Sequence, residues 1–464
     1  MKPYITTKVV LVRRLRELSY DWIWTPRRRE RPIATYTLIA INVAIYIASS
    51  AQNFFSSVTQ GWVDRFAYVP IMLQNPIQWY RILSSMFLHG DIFHIFFNMM
   101  FLYWFGKEIE QLLGIKRYLV LYLASGIVAT IFHTGFTPIM GTLNLIIPAL
   151  GASGAISGLL GAYLMLYPRR RLNICWFLFL IPLCFTTTAL FFLLFWFATQ
   201  VIYGYLRFGG IAFFAHVGGF IAGIALIYLL KRRSIETLHY FLKPYDLYTP
   251  KGLGSIAKTL LSILLIAVLI GSTYSTANAA RSANVYIIDV NVCRQDTCFR
   301  DQAAYTPLGD EAIAPSIDLP RIAFNRLLWS GVIRNIRATP LTPISIDFRG
   351  NVVARDYGIR IFIQIVGEGL YDERGVLIEF TGSIVTDVIN VNIWGIASRG
   401  DRIYIDRVDL KSQDVAKNVG EFIVRPFALI SSFITLSSIF VVVFKDRDIT
   451  EEEFLGPPIY TPWI

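Results

Sequence analysis

The stretch Gly151–Arg171, GASGAISGLLGAYLMLYPRRR, places Ser153 between small residues at the start of an apolar segment that ends in three arginines. A helix with such a small-residue face can approach a second helix closely inside a membrane. Two interpretations are open. The segment is a tightly packed membrane helix that happens to contain serine, or it presents a nucleophile within the bilayer.

The composition of the chain indicates a membrane protein with several helical spans. Of its 464 residues, 55% are hydrophobic and 15% aromatic, and the mean hydropathy is +0.51. Soluble globular chains seldom reach such values. The formal net charge is +11. The basic residues of the chain flank its apolar runs and do not gather in one soluble segment, as they would in a nucleic-acid-binding protein. We therefore expect the lipid bilayer as a partner and no nucleic acid.

Six apolar segments close to the length of a membrane span precede residue 231. They lie near 33–50, 92–106, 117–136, 149–167, 187–206 and 211–230. With a cytoplasmic N-terminus, the basic clusters at 107–116, 169–171 and 231–233 all fall on the cytoplasmic side. The apolar stretch 172–186 is predicted to be interfacial or re-entrant, and the first 30 residues suggest no removable signal peptide.

The C-terminal half has a different pattern. A seventh span is predicted at 255–275 and an eighth at 426–444, and alternating segments such as YIIDVNV and IRIFIQIV predict a β-rich region between them. Two bracketing spans place that region outside the cytoplasm. Cys293 and Cys298 lie in it, either as a disulfide or as an unbonded pair, whereas Cys175 and Cys184 lie in apolar sequence and are expected to be structural.

Three of the five histidines lie in or beside apolar spans: His89, His94 and His216. Polar groups in a membrane are costly and by default suggest function, although a buried histidine can simply bond a backbone carbonyl. At 1.5 Å per residue, Ser153, His216 and His94 lie about 24, 22 and 20 Å from the basic flanks of their spans. Three polar side chains on three helices therefore share one level near the outer side.

Glycines on two of these helices predict their lateral approach. Gly154, Gly158 and Gly161 form one face of the fourth span, and Gly219 and Gly223 form a GxxxG motif on the sixth. Packing these faces together would bring Ser153 near His216.

A neutral imidazole within hydrogen-bond reach can take the proton of a serine hydroxyl and so activate it as a nucleophile. The spans carry no Asp or Glu at this level, so the expected pair is a Ser153–His216 dyad. His94 and Asn98 are four residues apart and share a helix face, and both can donate to an oxyanion. The Ser153 amide, in the first turn of a helix, is a third candidate donor.

These residues resemble the motifs of the rhomboid intramembrane serine proteases. The matching segments are WYR at 79–81, HGDIFHIFFN at 89–98, GKEIEQLLG at 106–114, GASG at 151–154 and AHVGGFIAG at 215–223. They occur in family order with similar spacing. The resemblance covers about 33–231 and leaves the two later spans and the β-rich region outside it.

The resemblance implies a six-helix core with a water-filled cavity open to the outside. Ser153 would be the nucleophile and His216 the general base, with His94, Asn98 and the Ser153 amide as the oxyanion hole. The implied supporting residues are His89, Arg81 and Trp79 near the first loop, Glu110 at the cytoplasmic end of the second span, Gly151 and Gly154 around the nucleophile, and Gly219 and Gly223 in helix packing.

One position departs from the family pattern. Many members carry an aromatic residue four positions after the nucleophile, where it packs on the catalytic histidine, and this chain has Ser157. The imidazole would then be held less firmly or by another side chain. Ser157 is also an alternative nucleophile, although it lies deeper in the helix.

The predicted fold is an α-helical polytopic membrane protein, a six-helix rhomboid core with two further transmembrane helices that bracket a β-rich extracytoplasmic domain. Its predicted parts are a basic cytoplasmic segment 1–32, the core 33–231, a cytoplasmic linker 232–254, the seventh helix 255–275, the outer domain 276–425, the eighth helix 426–444 and a cytoplasmic tail 445–464.

The predicted function is serine endopeptidase cleavage of transmembrane protein substrates, with no metal and no cofactor. The expected location is a cell membrane, and the composition is compatible with a bacterial or archaeal one. The alternatives are a non-catalytic rhomboid-like protein that binds transmembrane clients, and a transporter or channel. Non-catalytic relatives usually lack the serine or the histidine, and a transporter would need charged or broken helices repeated in two halves.

Overall fold

The fold was obtained as a computed structural model. It describes residues 31–178, 181–231, 252–282, 286–294, 297–305, 343–354, 359–371, 377–391, 397–414 and 416–450. The predicted segments 1–32 and 232–254 and the tail 445–464 lie largely outside these residues.

Among the described residues, the N-terminal domain contains six helices of ten or more residues. They are α1 Ile33–Ser50, α2 Ile92–Phe101, α3 Ile115–Gly135, α4 Ser153–Leu166, α5 Ala189–Tyr205 and α6 Phe213–Leu230. Helix α2 continues through a π-helical turn, Leu102–Gly106, into the helix Lys107–Leu113. Helix α4 is buried along nearly all of its length, because α3 and α6 pack on either side of it.

The outer faces of these helices are apolar, as in a multi-pass membrane protein. Among the described residues, five helices are long and apolar enough to cross a membrane, and α4 and α5 are shorter apolar helices. Large apolar side chains such as Phe93 and Phe96 on α2 and Phe191 and Phe195 on α5 are exposed. Helix α2 is not among those five; its segment includes polar His94 and Asn98.

The stretch 172–186, expected to be interfacial or re-entrant, forms two antiparallel strands, β1 Arg171–Leu178 and β2 Ile181–Thr188. Thr188 then caps α5 through a hydrogen bond from the Phe191 amide to its hydroxyl, 3.3 Å long.

The two appended helices are longer than the sequence predicted. Helix α7 spans Ser255–Ser282 and does not end at residue 275, because the alanine-rich segment that follows contains no glycine or proline to stop it. Helix α8, Arg425–Phe440, is extended at both ends by π-helical turns and short α-helices, Ala416–Val419 and Asp446–Ile449.

Between α7 and α8 the chain forms a six-stranded antiparallel sheet with the order β4-β3-β8-β7-β6-β5. The strands are β3 Tyr286–Arg294, β4 Thr297–Tyr305, β5 Ile344–Ala354, β6 Ile359–Tyr371, β7 Leu377–Val391 and β8 Ala397–Asp414. The first and last strands are neighbours, with Tyr286 opposite Asp414. A disulfide joins Cys293 and Cys298 at the tip of the β3–β4 hairpin.

Helices α7 and α8 pack on each other and on the core. Ser432 Oγ and Ser272 Oγ are 2.8 Å apart between α7 and α8. The Ser438 hydroxyl of α8 donates to the Ile221 carbonyl of α6 (2.9 Å), and the Tyr205 hydroxyl of α5 donates to the Ala267 carbonyl of α7 (2.6 Å). The appended helices are therefore integral to the helical domain.

Several basic segments predicted to be cytoplasmic meet at one end of this domain. Arg170, beyond the end of α4, forms an ion pair of 2.8 Å with Glu108 beyond α2. Lys231, after α6, donates to the Ile449 carbonyl (2.6 Å). Ser153 and His216 lie at the opposite ends of their helices.

Candidate active site

Helices α4 and α6 touch backbone to backbone through their glycines. A side-chain carbon on Gly219 would collide with the Gly154 carbonyl, and one on Gly223 would collide with the Gly158 carbonyl. Gly161 faces the Phe220 carbonyl in the same way. Only residues without a side chain allow this separation, so these positions set the distance between the two helices.

This contact brings together Ser153, the first residue of α4, and His216, in the first turn of α6. Ser153 Oγ lies 2.8 Å from His216 Nε2. Both side chains are partly exposed, so they border space that a substrate can reach. A hydroxyl and an imidazole at this distance have the geometry of a nucleophile and its general base.

The other ring nitrogen of His216 has a partner that sequence reasoning missed. Its Nδ1 lies 2.9 Å from Oε1 of Gln200 on α5. The ring of Trp196, one turn earlier on α5, lies 6.1 Å from the imidazole. The available signal was the Thr199–Gln200 pair, two adjacent polar residues in an apolar span.

Ser157 lies where many family members carry an aromatic residue. It is buried, and its hydroxyl donates to the Ser153 carbonyl at 2.6 Å. Its Cβ would be 3.2 Å from a side-chain carbon on Gly219. Trp196 approaches the imidazole from α5.

The turn before Ser153 is shaped by two histidines. Gly151 has a φ of 122°, which favours glycine, and a side-chain carbon there would lie 2.8 Å from His94 Nε2 and 3.6 Å from Ser153 Oγ. His89 Nε2 accepts from the Ala152 amide at 3.4 Å. His94 therefore lies close to both the turn and the serine, and His89 accepts a hydrogen bond from the same turn.

Asn98 lies one helical turn after His94 and is 8% exposed. Its Nδ2 donates to the His94 carbonyl at 2.8 Å. That bond uses one of the two hydrogens of the amide nitrogen and leaves the second available for another acceptor.

The supporting residues predicted outside the pair lie at the two ends of the domain. Arg81, 2% exposed, donates to Gln78 Oε1 (2.6 Å) and to the carbonyls of Ala67 and Asp64 (3.0 and 2.7 Å), and so holds the first loop together. Trp79 is 56% exposed and donates from Nε1 to the Leu73 carbonyl at 3.0 Å.

Glu110 lies at the other end, where it caps α1. Its carboxylate accepts from the Ala34 and Thr35 amides and the Thr35 hydroxyl, at 2.8, 2.7 and 2.7 Å. A carboxylate at a helix N-terminus is favourable because the first amides lack intrahelical acceptors.

A partly exposed serine and histidine, 2.8 Å apart inside a bundle of apolar helices, are arranged as in a serine hydrolase. Comparison with known proteins makes the class more specific, since residues 76–233 match the family model described as Rhomboid domain. Residues 76–233 therefore form a rhomboid domain.

Curated relatives agree with this assignment. Rhomboid protein 1, mitochondrial, of Saccharomyces cerevisiae is 29% identical over 195 residues, 41% of this chain and 51% of that protein. Rhomboid protease GluP of Bacillus subtilis is 31% identical over 245 residues, 53% of this chain and 40% of that protein.

Putative rhomboid protease YdcA of Bacillus subtilis is 36% identical over 138 residues, 29% of this chain and 62% of that protein. These matches span about half the length of the curated relatives. Bacterial and mitochondrial proteins both occur among them.

Proposed function

We propose that this protein is an intramembrane serine endopeptidase that hydrolyses peptide bonds in or near the transmembrane segments of membrane proteins. The observation that carries the proposal is the 2.8 Å contact between Ser153 Oγ and His216 Nε2, within a rhomboid domain. No metal or cofactor enters the proposed reaction.

In the first half of the reaction, the Ser153 hydroxyl gives its proton to His216 Nε2 while Oγ bonds to the scissile carbonyl carbon. The carbonyl oxygen becomes an oxyanion. When the tetrahedral intermediate collapses, the C–N bond breaks and the leaving amine takes the proton from His216. An acyl-enzyme ester on Ser153 remains.

In the second half, a water molecule gives a proton to His216 and its oxygen bonds to the ester carbon. The C–Oγ bond then breaks, and the proton returns from His216 to Ser153. The open side of the pair supports this step, since both side chains are partly exposed and water must enter from the aqueous side.

The proposed oxyanion site combines His94, Asn98 and the Ser153 amide. Preorganised donors that face the developing charge contribute strongly to acyl transfer. His94 lies beside Ser153 across Gly151, and Asn98 retains one amide hydrogen after its bond to the His94 carbonyl. Ser153 lies in the first turn of α4, so its backbone N–H has no carbonyl acceptor within the helix and can donate to the oxyanion.

The proposed topology has eight spans, a cytoplasmic N-terminus and the sheet of strands β3–β8 outside the cytoplasm of a cell membrane. The clustering of Arg170, Lys231 and their partners at the end opposite the Ser–His pair supports this orientation. A disulfide between Cys293 and Cys298 fits an oxidising compartment.

The alternative is a non-catalytic rhomboid-like protein that binds transmembrane clients. One matching protein is named inactive. The retained serine and histidine at bonding distance favour catalysis.

Labelling with a serine-directed fluorophosphonate tests the choice. The purified protein should be labelled and should cleave a model transmembrane peptide, and Ser153→Ala should lose both with its fold intact. Ser157→Ala, the matched serine on the same helix face, should keep both. A wild-type protein that neither labels nor cleaves would favour the client-binding alternative, and residual proteolysis in Ser153→Ala would refute the dyad.

A further inference from the structure

We propose that Gln200 is a third member of the site, a positioning residue that fixes the tautomer and orientation of His216. The inference rests on the proposed dyad and goes beyond it, because the proposed reaction requires only Ser153 and His216. Gln200 itself does not touch the substrate.

The orientation of the Gln200 amide is fixed by its neighbours on α5. Its Nε2 lies 3.2 Å from Thr199 Oγ1 and 3.4 Å from the Trp196 carbonyl oxygen. The Thr199 hydroxyl already donates its hydrogen to the same carbonyl, at 2.7 Å. Toward Gln200, therefore, both Thr199 Oγ1 and the carbonyl can only accept. The end of the amide that faces them must be the NH₂ group.

This orientation decides which ring nitrogen of His216 carries the hydrogen. With its nitrogen turned toward Thr199 and Trp196, Gln200 presents Oε1 to His216 Nδ1 at 2.9 Å. An amide oxygen can only accept, so Nδ1 carries the hydrogen. In a neutral imidazole Nε2 is then unprotonated, and it is Nε2 that lies 2.8 Å from Ser153 Oγ. Gln200 thus selects the tautomer in which His216 can act as a base.

The imidazole ring of His216 is held from two helices. Its two nitrogens are held at opposite ends by Ser153 on α4 and Gln200 on α5, and Trp196 lies against it at 6.1 Å. In many family members an aromatic residue on the nucleophile's own helix supports the histidine, whereas this chain has Ser157 at that position. In this chain Gln200 and Trp196 of α5 support the histidine, so α5 contributes to the geometry of the catalytic pair.

Gln200→Leu removes the acceptor oxygen and introduces an apolar side chain of similar size. We expect kcat to fall about 10- to 100-fold, below the loss seen when a charged orienting group is removed from a triad, with KM within about twofold. The second-order rate of fluorophosphonate labelling should fall in parallel, because that reaction requires the same base but no peptide binding.

Gln200→Glu keeps an acceptor oxygen toward Nδ1 and adds a charge. Activity should recover relative to Gln200→Leu. The acid limb of the labelling rate should also move to higher pH, because a carboxylate stabilises the protonated imidazole, which cannot act as a base. A merely structural role for residue 200 would produce no such movement. Thr199→Val, which removes one anchor of the amide, should cause a smaller loss than Gln200→Leu.

Ile202→Leu, a half-exposed position on the same helix, is the control and should behave as wild type in labelling rate and melting temperature. If Gln200→Leu labels at the wild-type rate across the pH range, the proposal is wrong. It is equally wrong if the loss in Gln200→Leu only matches a loss of folded protein and Gln200→Glu shows no change in pH profile.

The test also separates this proposal from the proposed function. In [¹⁵N]histidine-labelled protein, the Nδ1–H tautomer of His216 should be present in wild type and reduced in Gln200→Leu. This reading does not depend on whether the protein cleaves anything. If the wild type is inactive but shows this tautomer change, the protease proposal fails and the role of Gln200 stands.

Discussion

Gly219→Ala tests whether the close contact of α4 and α6 sets the distance between Ser153 and His216. The added methyl group would overlap the Gly154 carbonyl oxygen, and backbone atoms cannot move aside as a side chain can. The two helices must separate by roughly 1 Å to restore an ordinary contact. Position 219 lies less than one turn from His216 on the same helix, so the imidazole moves with it.

The magnitude follows from the site geometry. A separation of that size stretches the 2.8 Å contact between Ser153 and His216 beyond hydrogen-bond range. Misplacement of a catalytic group by about 1 Å costs about 100-fold in rate. Overpacking of the interface should also cost about 1–3 kcal/mol of stability.

Two variants separate these effects. Gly161→Ala collides with the Phe220 carbonyl, but it lies two turns below Ser153, so its stability should fall similarly while its rate falls less. Gly61→Ala, where an added carbon meets nothing within 4 Å, should match wild type. The assays are cleavage of a model transmembrane peptide, fluorophosphonate labelling and thermal unfolding in detergent. Wild-type turnover in folded Gly219→Ala would refute the reasoning.

Three further predictions concern other parts of the molecule. Asn98→Ala should lower kcat about 10- to 1000-fold if its amide faces the oxyanion, and wild-type turnover would assign it to packing alone. Desolvation raises the pKa of Asp387 in strand β7, but bonds from the Phe362 amide, Arg402 and Arg399 outweigh it and hold the pKa below its usual 3.8. The folded sheet therefore gains stability from this carboxylate above that pH and loses it as the pH falls further, so Asp387→Asn should flatten the acid limb of a sheet-unfolding curve monitored by circular dichroism. Replacing residues 283–415 by a short glycine–serine linker should leave cleavage of a model peptide intact, since α7 and α8 remain packed on the core; loss of cleavage in a folded variant would make the sheet part of the catalytic unit.

The sequence was most informative where function depends on residue type at fixed spacing. The glycines of α4 and α6 predict their own contact, because only backbone-to-backbone packing uses them, and that contact places Ser153 against His216. The prediction that Ser153, His216 and His94 share one level uses the same kind of regularity, since helices rise uniformly and basic residues mark one end.

Gln200 was not predicted, because a partner for histidine in an apolar span is recognised in sequence by its charge. An amide in an apolar span carries no charge signal, and its role becomes visible only when α5 is placed beside α6. The packing of α7 and α8 was equally hidden. It depends on contacts such as Ser438 to the Ile221 carbonyl, between ordinary polar and apolar residues more than two hundred positions apart.

Neighbouring strands β3 and β8 leave the sheet side by side, one strand spacing of about 5 Å apart. The sheet is thus joined to the helical domain by two chain segments, which enter and leave it through neighbouring strands. A load on the sheet passes down α8, which bonds to the Ile221 carbonyl on the helix that carries His216. A force applied to the sheet would therefore act on the helix that carries His216.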